Sequence, residues 1–278
     1  MTLTSQDFNY VRELVNKNSA IVLEDGKEYL VESRLAPLLR QLGASSIAEL
    51  VKILKQARTS SLHTNVVEAL TTNETSFFRD KSPFDALESD IIPNLIKSNE
   101  LTRTLKIWSA ACSSGQEAYS IALLLREKFP ILADWKLTIL GTDINTEILT
   151  RAKGGIFTQL EVSRGLPAAY LVKYFKKIGR EWQLQDSIRT QVEFKTMNLA
   201  QTWTLAEKFD VVFLRNVLIY FSNETKRQIL AQLKNHLRRD GWLFLGSAET
   251  PIMLDHAYER VKMGSASCYR LVNKIGEK

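Results

Sequence analysis

Five polar residues stand where apolar runs of strand character break off or a helix begins. They are Glu117 after LKIWSAACSSGQ, Asp143 in LTILGTDI, Asn198 in VEFKTMNL, and Arg215 and Asn216 in FDVVFLRN. A carboxylate in the place of Asp143 suits hydrogen bonds from ribose hydroxyls; its competing role is to help cap the helix that follows. Glu117, at a helix start, either complements the helix dipole or offers a negative wall to a cationic ligand. It would repel a pyrophosphate. Asn198 and Asn216 end runs that read as buried strands, so each amide needs a partner, from the backbone or from a ligand.

These residues can meet only if the right elements carry them. From about residue 84 the periodicity alternates between helix and strand, which argues for a parallel sheet with right-handed crossovers. Strands are expected at 105–111, 137–144, 192–199, 209–217 and 242–249, with helices at 84–99, 117–129, 145–155 and 224–241, and YERVKMGSASCYRLV as a closing hairpin. In such a sheet, ligands bind beyond the carboxyl ends of the strands. All five polar residues then share one rim. Residues 1–70 show only helical patterns, with Ser5 as a cap, a stop at Gly43, and Ser45 or Ser46 with Glu49 opening a third helix. Between Phe157 and Thr190 the alternation is interrupted by a helical pattern over 158–177 and a hairpin turning near Gly179–Arg180, an insertion on the sheet's edge.

The loop SAACSSG narrows the ligand. It holds one glycine, Gly115, where a dinucleotide fingerprint has three, and no Lys-Ser or Lys-Thr pair follows it as in a P-loop. With no phosphate to cradle and an acid beside it, the loop suits an adenosine with a cationic, amino-acid-like tail. S-adenosylmethionine has that chemistry. Upstream, TTNETSFFRD joins the helical unit to the sheet. Phe77 and Phe78 read as interdomain core, whereas Arg79 at such a junction can grip a carboxylate. Cys112 is better read as a small buried thiol than as a nucleophile, since no histidine neighbours it in sequence.

Composition excludes several classes. Three scattered histidines and two distant cysteines form no metal-ligand cluster. No apolar run is long enough to span a bilayer, and the start lacks the pattern of a signal peptide. A soluble cytoplasmic protein is expected. The net charge of +6 falls entirely after residue 70; it either aids solubility or favours an acidic partner.

Taken together in order and spacing, NETSFFRD, IWSAACSSGQEAYSIA, GTDIN, NL and FLRNVLIYF resemble the chemotaxis receptor glutamate methyltransferases, the CheR family, over nearly the whole chain. The resemblance implies an α/β fold: an all-helical N-terminal domain (1–70), a linker with the NETSFFR motif (71–83), and a Rossmann-like S-adenosylmethionine-dependent methyltransferase domain (84–278) with a β-subdomain inserted at about 157–190. It also implies methyl transfer to glutamate side chains of methyl-accepting chemoreceptors, giving glutamyl methyl esters and S-adenosylhomocysteine, with no metal. Cofactor binding would fall on Asn73, Thr75, Arg79, Glu117, Asp143, Asn198, Leu199, Arg215 and Asn216. Arg79 and Tyr220 would sit nearest the transferred methyl group, although a buried core tyrosine is an equal reading of Tyr220. The partner implied is the cytoplasmic helical domain of the receptor, met by the helix bearing Lys27, Arg34 and Arg40, whose charges Glu28 and Glu32 partly offset. IGREWQLQDSIRTQ is shorter than in members that bind a receptor pentapeptide, which counts against such a tether.

A substrate glutamate, with an ordinary pKa of about 4.3, is already a nucleophile at neutral pH. The chemistry therefore requires alignment rather than a general base. Two rivals are a nucleic-acid or other protein methyltransferase, and a non-catalytic scaffold on the same fold. RNVLIYF stands where amino-group methylation would call for an N/D-P-P-Y/F turn, and no basic face with interleaved aromatics is evident. Neither nucleic acid nor membrane insertion is expected.

Overall fold

The computed structural model describes residues 3–57 and 61–272. Four helices come first: α1 (Ser5–Ser19), α2 (Glu28–Leu42), α3 (Ile47–Gln56) and α4 (Ser61–Leu70). Their apolar stripes close on a core of their own, in which Val11, Val15, Val31, Leu35, Leu50 and Val66 are fully buried. The cap of α1 is Thr4 rather than Ser5: its hydroxyl accepts the Asp7 N–H, one residue earlier than the pattern suggests. Gly43 ends α2 in the left-handed region, as expected. Ser46 caps α3, while Glu49 reaches back to the N–H and hydroxyl of Ser45.

After the linker, α5 (Ser82–Ala86) runs through a π turn into α6 (Ile92–Ser98). The sheet then alternates: β1 (Thr104–Ala110), α7 (Gln116–Lys128), β2 (Lys136–Asp143), α8 (Thr146–Gly154). The insertion carries β3 (Ile156–Thr158), α9 (Gln159–Ser163), α10 (Ala168–Tyr174), β4 (Phe175–Ile178), β5 (Glu181–Leu184) and α11 (Asp186–Arg189). The main sheet resumes with β6 (Val192–Thr196), β7 (Phe209–Leu214), α12 (Asn223–His236), β8 (Leu237–Leu245), β9 (Tyr258–Met263) and β10 (Ala266–Leu271).

The strand order is β6-β2-β1-β7-β8-β10-β9, parallel from β6 to β8 and antiparallel beyond. Chain order runs outward from β1 through β2 to β6, then turns back to β7 and β8. The crevice therefore opens at the carboxyl ends of β1 and β7. Strands covered on both faces must be apolar throughout, and every residue of β7 is buried. One apolar core lies beneath α5–α7 and the insertion; the other lies between the opposite sheet face and α12.

Three expectations need correcting. The helix expected to run to Gly241 ends at His236, because Leu237 pairs with Phe209 and starts a strand; a register shift before Trp242 absorbs the polar Arg238–Gly241 run as a bulge. The helical pattern over 158–177 is two helices, broken at Gly165–Leu166–Pro167, and Phe175 already begins a strand. Gly165 has a φ of +85°, and a Cβ there would lie 1.9 Å from the Phe77 carbonyl oxygen. Tertiary approach dictates this glycine. Finally, strand character ends at Thr196, Leu214 and Leu245, so Met197–Leu199, Arg215–Val217 and Gly246–Glu249 are free to form the rim. The hairpin turning at Gly179–Arg180 is present as β4 and β5, with β3 added on the far side of β5.

Candidate active site

At the carboxyl rim lies a cleft of about 860 Å³, open mouth included. Every residue named above for cofactor binding or methyl transfer lines it. Glu117, Asp143, Asn198, Leu199, Arg215, Asn216 and Tyr220 come from the sheet domain, and Asn73, Thr75 and Arg79 from the linker.

The loop after β1 is shaped by conformations that side chains usually avoid: Ala111 and Ser113 have φ of 55° and 52°, and Gly115 of 91°. Three of its N–H groups are spent on the protein. Cys112 donates to the Thr142 carbonyl at 2.9 Å, Ser113 to Asp143 Oδ2 at 2.8 Å, and Gly115 to the Cys112 carbonyl at 3.0 Å. A phosphate would find those donors taken. Asp143 also accepts the Asn145 N–H at 3.0 Å. Burial raises the Asp143 pKa against the pull of backbone N–H groups from Asn145, Ser113 and Ile144. The helix cap itself is Asn145, whose side chain accepts the Ile148 N–H, so Asp143 is not needed for that role. Burial, with Asp143 and Glu117 nearby, pushes the Cys112 thiol well above its ordinary value. It is a small buried thiol, as expected.

Glu117 is not the bare carboxylate that its position suggested. Oε1 accepts the Ser109 hydroxyl at 2.7 Å and Oε2 faces an Arg215 nitrogen at 2.9 Å. The Arg215 side chain, 2% exposed, also donates to the Arg79 carbonyl and to Asp80 at 2.6 Å. Its Nε, buried, has no partner among the described residues. One guanidinium is thus shared by two carboxylates, and with Asp143 close by the wall keeps an acidic balance.

The linker is fastened to that wall. Arg215 holds the Arg79 carbonyl, Ser120 Oγ accepts the Phe78 N–H at 2.9 Å, and Ser113 Oγ donates to the Asn73 carbonyl at 2.8 Å. Phe77 is buried edge-on against Phe157 and Phe175 of the insertion, the core role expected of it. Phe78, Asp80 and Lys81 all have positive φ. Such a turn persists only where its surroundings over-determine it. Arg79, half-buried, donates to the Glu74 carbonyl at 3.0 Å, which leaves other guanidinium donors for the cleft.

The helical unit closes the other side, with Ser19 and Ile21 on the cleft wall. Ile21 bridges to Phe221, and the Val22 N–H donates to the Tyr220 carbonyl at 2.9 Å. The Asn198 amide is satisfied by the backbone, donating to the Asn18 carbonyl at 2.7 Å. Asn198 therefore latches α1 to the rim, and its oxygen accepts the Ala200 N–H. Arg34 is likewise committed, to the carbonyls of Leu70 and Thr71 and the hydroxyl of Thr72. It places the start of the linker instead of standing free. Lys27 and Arg40 carry no such side-chain bonds among the described residues.

Two contributors escaped the sequence reading. Glu68 on α4 accepts the N–H and hydroxyl of Thr146, docking the helical unit on the start of α8. Glu249, buried beyond β8, accepts N–H groups from Gly246, Asn216, Val217 and Ile219, and so fixes the left-handed Asn216 and the turn that presents Tyr220. The signal for Glu249 was an acid just past an apolar strand, LFLGSAE, which by itself is common. For Glu68, nothing in a helix face distinguishes a docking acid from a solvated one.

Comparison with known families decides the identity. The family model described as "CheR methyltransferase, SAM binding domain" matches residues 73–266, and "CheR methyltransferase, all-alpha domain" matches residues 6–71. The chain belongs to the CheR methyltransferase family. Within it, chemotaxis protein methyltransferase 1 of Pseudomonas aeruginosa is 42% identical over 274 residues, 97% of this chain and 99% of that protein. Chemotaxis protein methyltransferase Cher2 of Pseudomonas putida is 39% identical over the same shares of each chain. Chemotaxis protein methyltransferase 1 of Vibrio cholerae is 36% identical over 98% of both. The CheR resemblance seen in the motifs therefore holds, as do the Rossmann-like fold, the S-adenosylmethionine dependence and the enzymatic class. Among the described residues no group of His, Cys, Asp or Glu could hold a metal ion, and no helix is long and apolar enough to cross a membrane.

Proposed function

We propose that this enzyme methylates glutamate side chains in the helical cytoplasmic part of chemoreceptors, with Asp143, Glu117, Arg215, Arg79 and Tyr220 dividing the work. One observation carries the assignment: the linker and the sheet rim meet in a single cleft lined by Asp143 and Glu117 on one side and by Arg79 and Tyr220 as well. When bound, S-adenosylmethionine supplies an electrophilic methyl on a sulfonium. The protein's own task is to bind, orient and exclude water.

In this reading Asp143 accepts the ribose hydroxyls, while Asn198 and Leu199 border the adenine and Asn73 and Thr75 line the opposite wall. The Glu117–Arg215 pair faces the amino-acid tail. Arg79 steers the substrate carboxylate into line, and Tyr220 packs beside the path of attack. No proton needs to move, since the glutamate attacks as a carboxylate. Good positioning can lower a barrier by roughly 7–11 kcal/mol, enough to dispense with a general base.

We further infer a cytoplasmic site of action and recruitment without a receptor tail. The hairpin of the insertion is short, with four residues in each strand. Incubation with methyl-labelled S-adenosylmethionine and a receptor cytoplasmic fragment tests the assignment. Label on the fragment that is released by mild base is expected; base-stable label, or label on added RNA, would overturn it.

A further inference from the structure

The turn that presents Tyr220 to the cleft has an outer side, and a second groove lies there. Leu218 and Ile219 of that turn form one wall, Lys226 and Arg227 of α12 another, and Met253 and Leu254 a third, around about 700 Å³ open to solvent. Two of its apolar side chains stand in water: Ile219 is 49% exposed and Met253 82%. Because both line one groove, they offer a partner apolar contact that each would not offer alone. The groove's acid, Glu249, is consumed by four backbone N–H groups. Lys226 and Arg227 have no acidic partner among the described residues. What the groove offers is therefore apolar contact beside unpaired positive charge.

We propose that this groove holds the acidic, amphipathic helical segment of the protein substrate that carries the target glutamate. The inference rests on the reading of the cleft as a glutamate methylation site, and it adds where the rest of the substrate lies. A methyl-accepting segment carries carboxylates by the nature of the reaction. Residues three and four apart on a helix are neighbours, about 5–6 Å between Cβ atoms. With one glutamate dipping past Tyr220, an apolar residue a turn away meets Ile219 and Met253, and acidic residues beyond it meet Lys226 and Arg227. Methylation neutralises a carboxylate, so a segment already modified at those flanking positions loses that attraction. The groove thereby favours substrates that still carry charge.

Steady-state kinetics of the full chain on a purified chemoreceptor cytoplasmic fragment test this. The double variant Lys226→Glu/Arg227→Glu is expected to raise KM for the fragment about tenfold, with kcat within twofold and S-adenosylmethionine affinity by calorimetry unchanged. Lys97→Glu, on α6 at the opposite end of the sheet, is the control and leaves KM unaltered. Met253→Ala, at a side chain already in water, raises KM two- to fivefold and keeps the test open if charge reversal disturbs α12. An active wild type with unchanged KM in both groove variants overturns the groove alone. So does a groove variant that changes oligomeric state at constant KM, which would assign the surface to a second copy of the chain. If the wild type leaves the fragment unmethylated, the reading of the cleft fails and the groove's assignment falls with it.

Discussion

The two sides of the cleft are built on different principles. One side is the sheet rim, where Asp143, Arg215 and Asn216 stand at the ends of strands whose positions are fixed by ladder hydrogen bonds and by burial on both faces. The other is the linker with the start of the helical unit. It has no regular structure of its own at Asn73–Arg79 and depends on single tertiary bonds: Ser113 to Asn73, Ser120 to Phe78, Arg215 to Arg79, Arg34 to Leu70 and Thr71. The rim provides fixed electrostatics. The linker provides groups whose placement depends on their neighbours, so its variants ought to fail at a distance.

Arg215→Ala should give the largest effect, because it strikes both sides at once. It leaves Glu117 buried without its cation and releases the Arg79 carbonyl; losing one partner of a buried pair costs about 3–5 kcal/mol. Chemical denaturation should show that loss together with abolished transfer. A loss under about 1 kcal/mol would show the network to be peripheral. Arg79→Ala comes next. Among the described residues the guanidinium makes one hydrogen bond, so stability should hold while kcat/KM for the receptor fragment falls about a hundredfold, on the order expected when a transition-state donor is removed. Near-normal turnover would remove Arg79 from its role.

Gly165→Ala tests the linker without touching any cleft residue. A Cβ at 1.9 Å from the Phe77 carbonyl must push the linker or the insertion aside, at a cost of roughly 1–3 kcal/mol. Activity should drop further than stability does, since Arg79 is two residues from Phe77. Loss of stability with unaltered specific activity would mean that the linker needs no clamp.

How far the sequence carried this picture differs between the same two sides. The rim was legible from first principles: apolar runs ending in Asp143, Arg215 and Asn216, with one topological rule, place them together. The linker was legible only in part. Arg79 stood out as a cation at a domain junction, but Asn73 and Thr75 entered through the resemblance of NETSFFRD to a known motif, because a segment with no period leaves no pattern to read. Glu117 was placed correctly but misjudged, since its pairing with Arg215 crosses 98 residues of sequence. Asn198 takes its partner from the backbone, one of the two alternatives its position allowed, and the partners of Asn198 and Arg34, 180 and 36 residues away, leave no sign in the local sequence. Helix α12 was overextended because Arg238–Gly241 carry no strand period, and only the pairing of Leu237 with Phe209 makes them a bulge.

The rim's fixed chemistry leads to the smallest and most direct effect. Burial raises the Asp143 pKa, so on acidification the carboxylate takes up its proton above the ordinary aspartate range. For stability the sign is favourable: a raised folded-state pKa means that the burden of the buried charge is relieved as pH falls. For binding the sign is opposite, because ribose hydroxyls donate to the ionised form. Calorimetric titration of S-adenosylmethionine and S-adenosylhomocysteine into wild type and Asp143→Asn, from neutral pH down into the carboxylate range, reads both. The expected result is affinity about tenfold weaker in the variant at neutral pH (about 1.4 kcal/mol), with the wild type losing affinity on acidification and the variant showing no such loss. Equal affinities and parallel pH profiles would contradict the central claim, leaving Asp143 a structural residue and the cofactor held elsewhere.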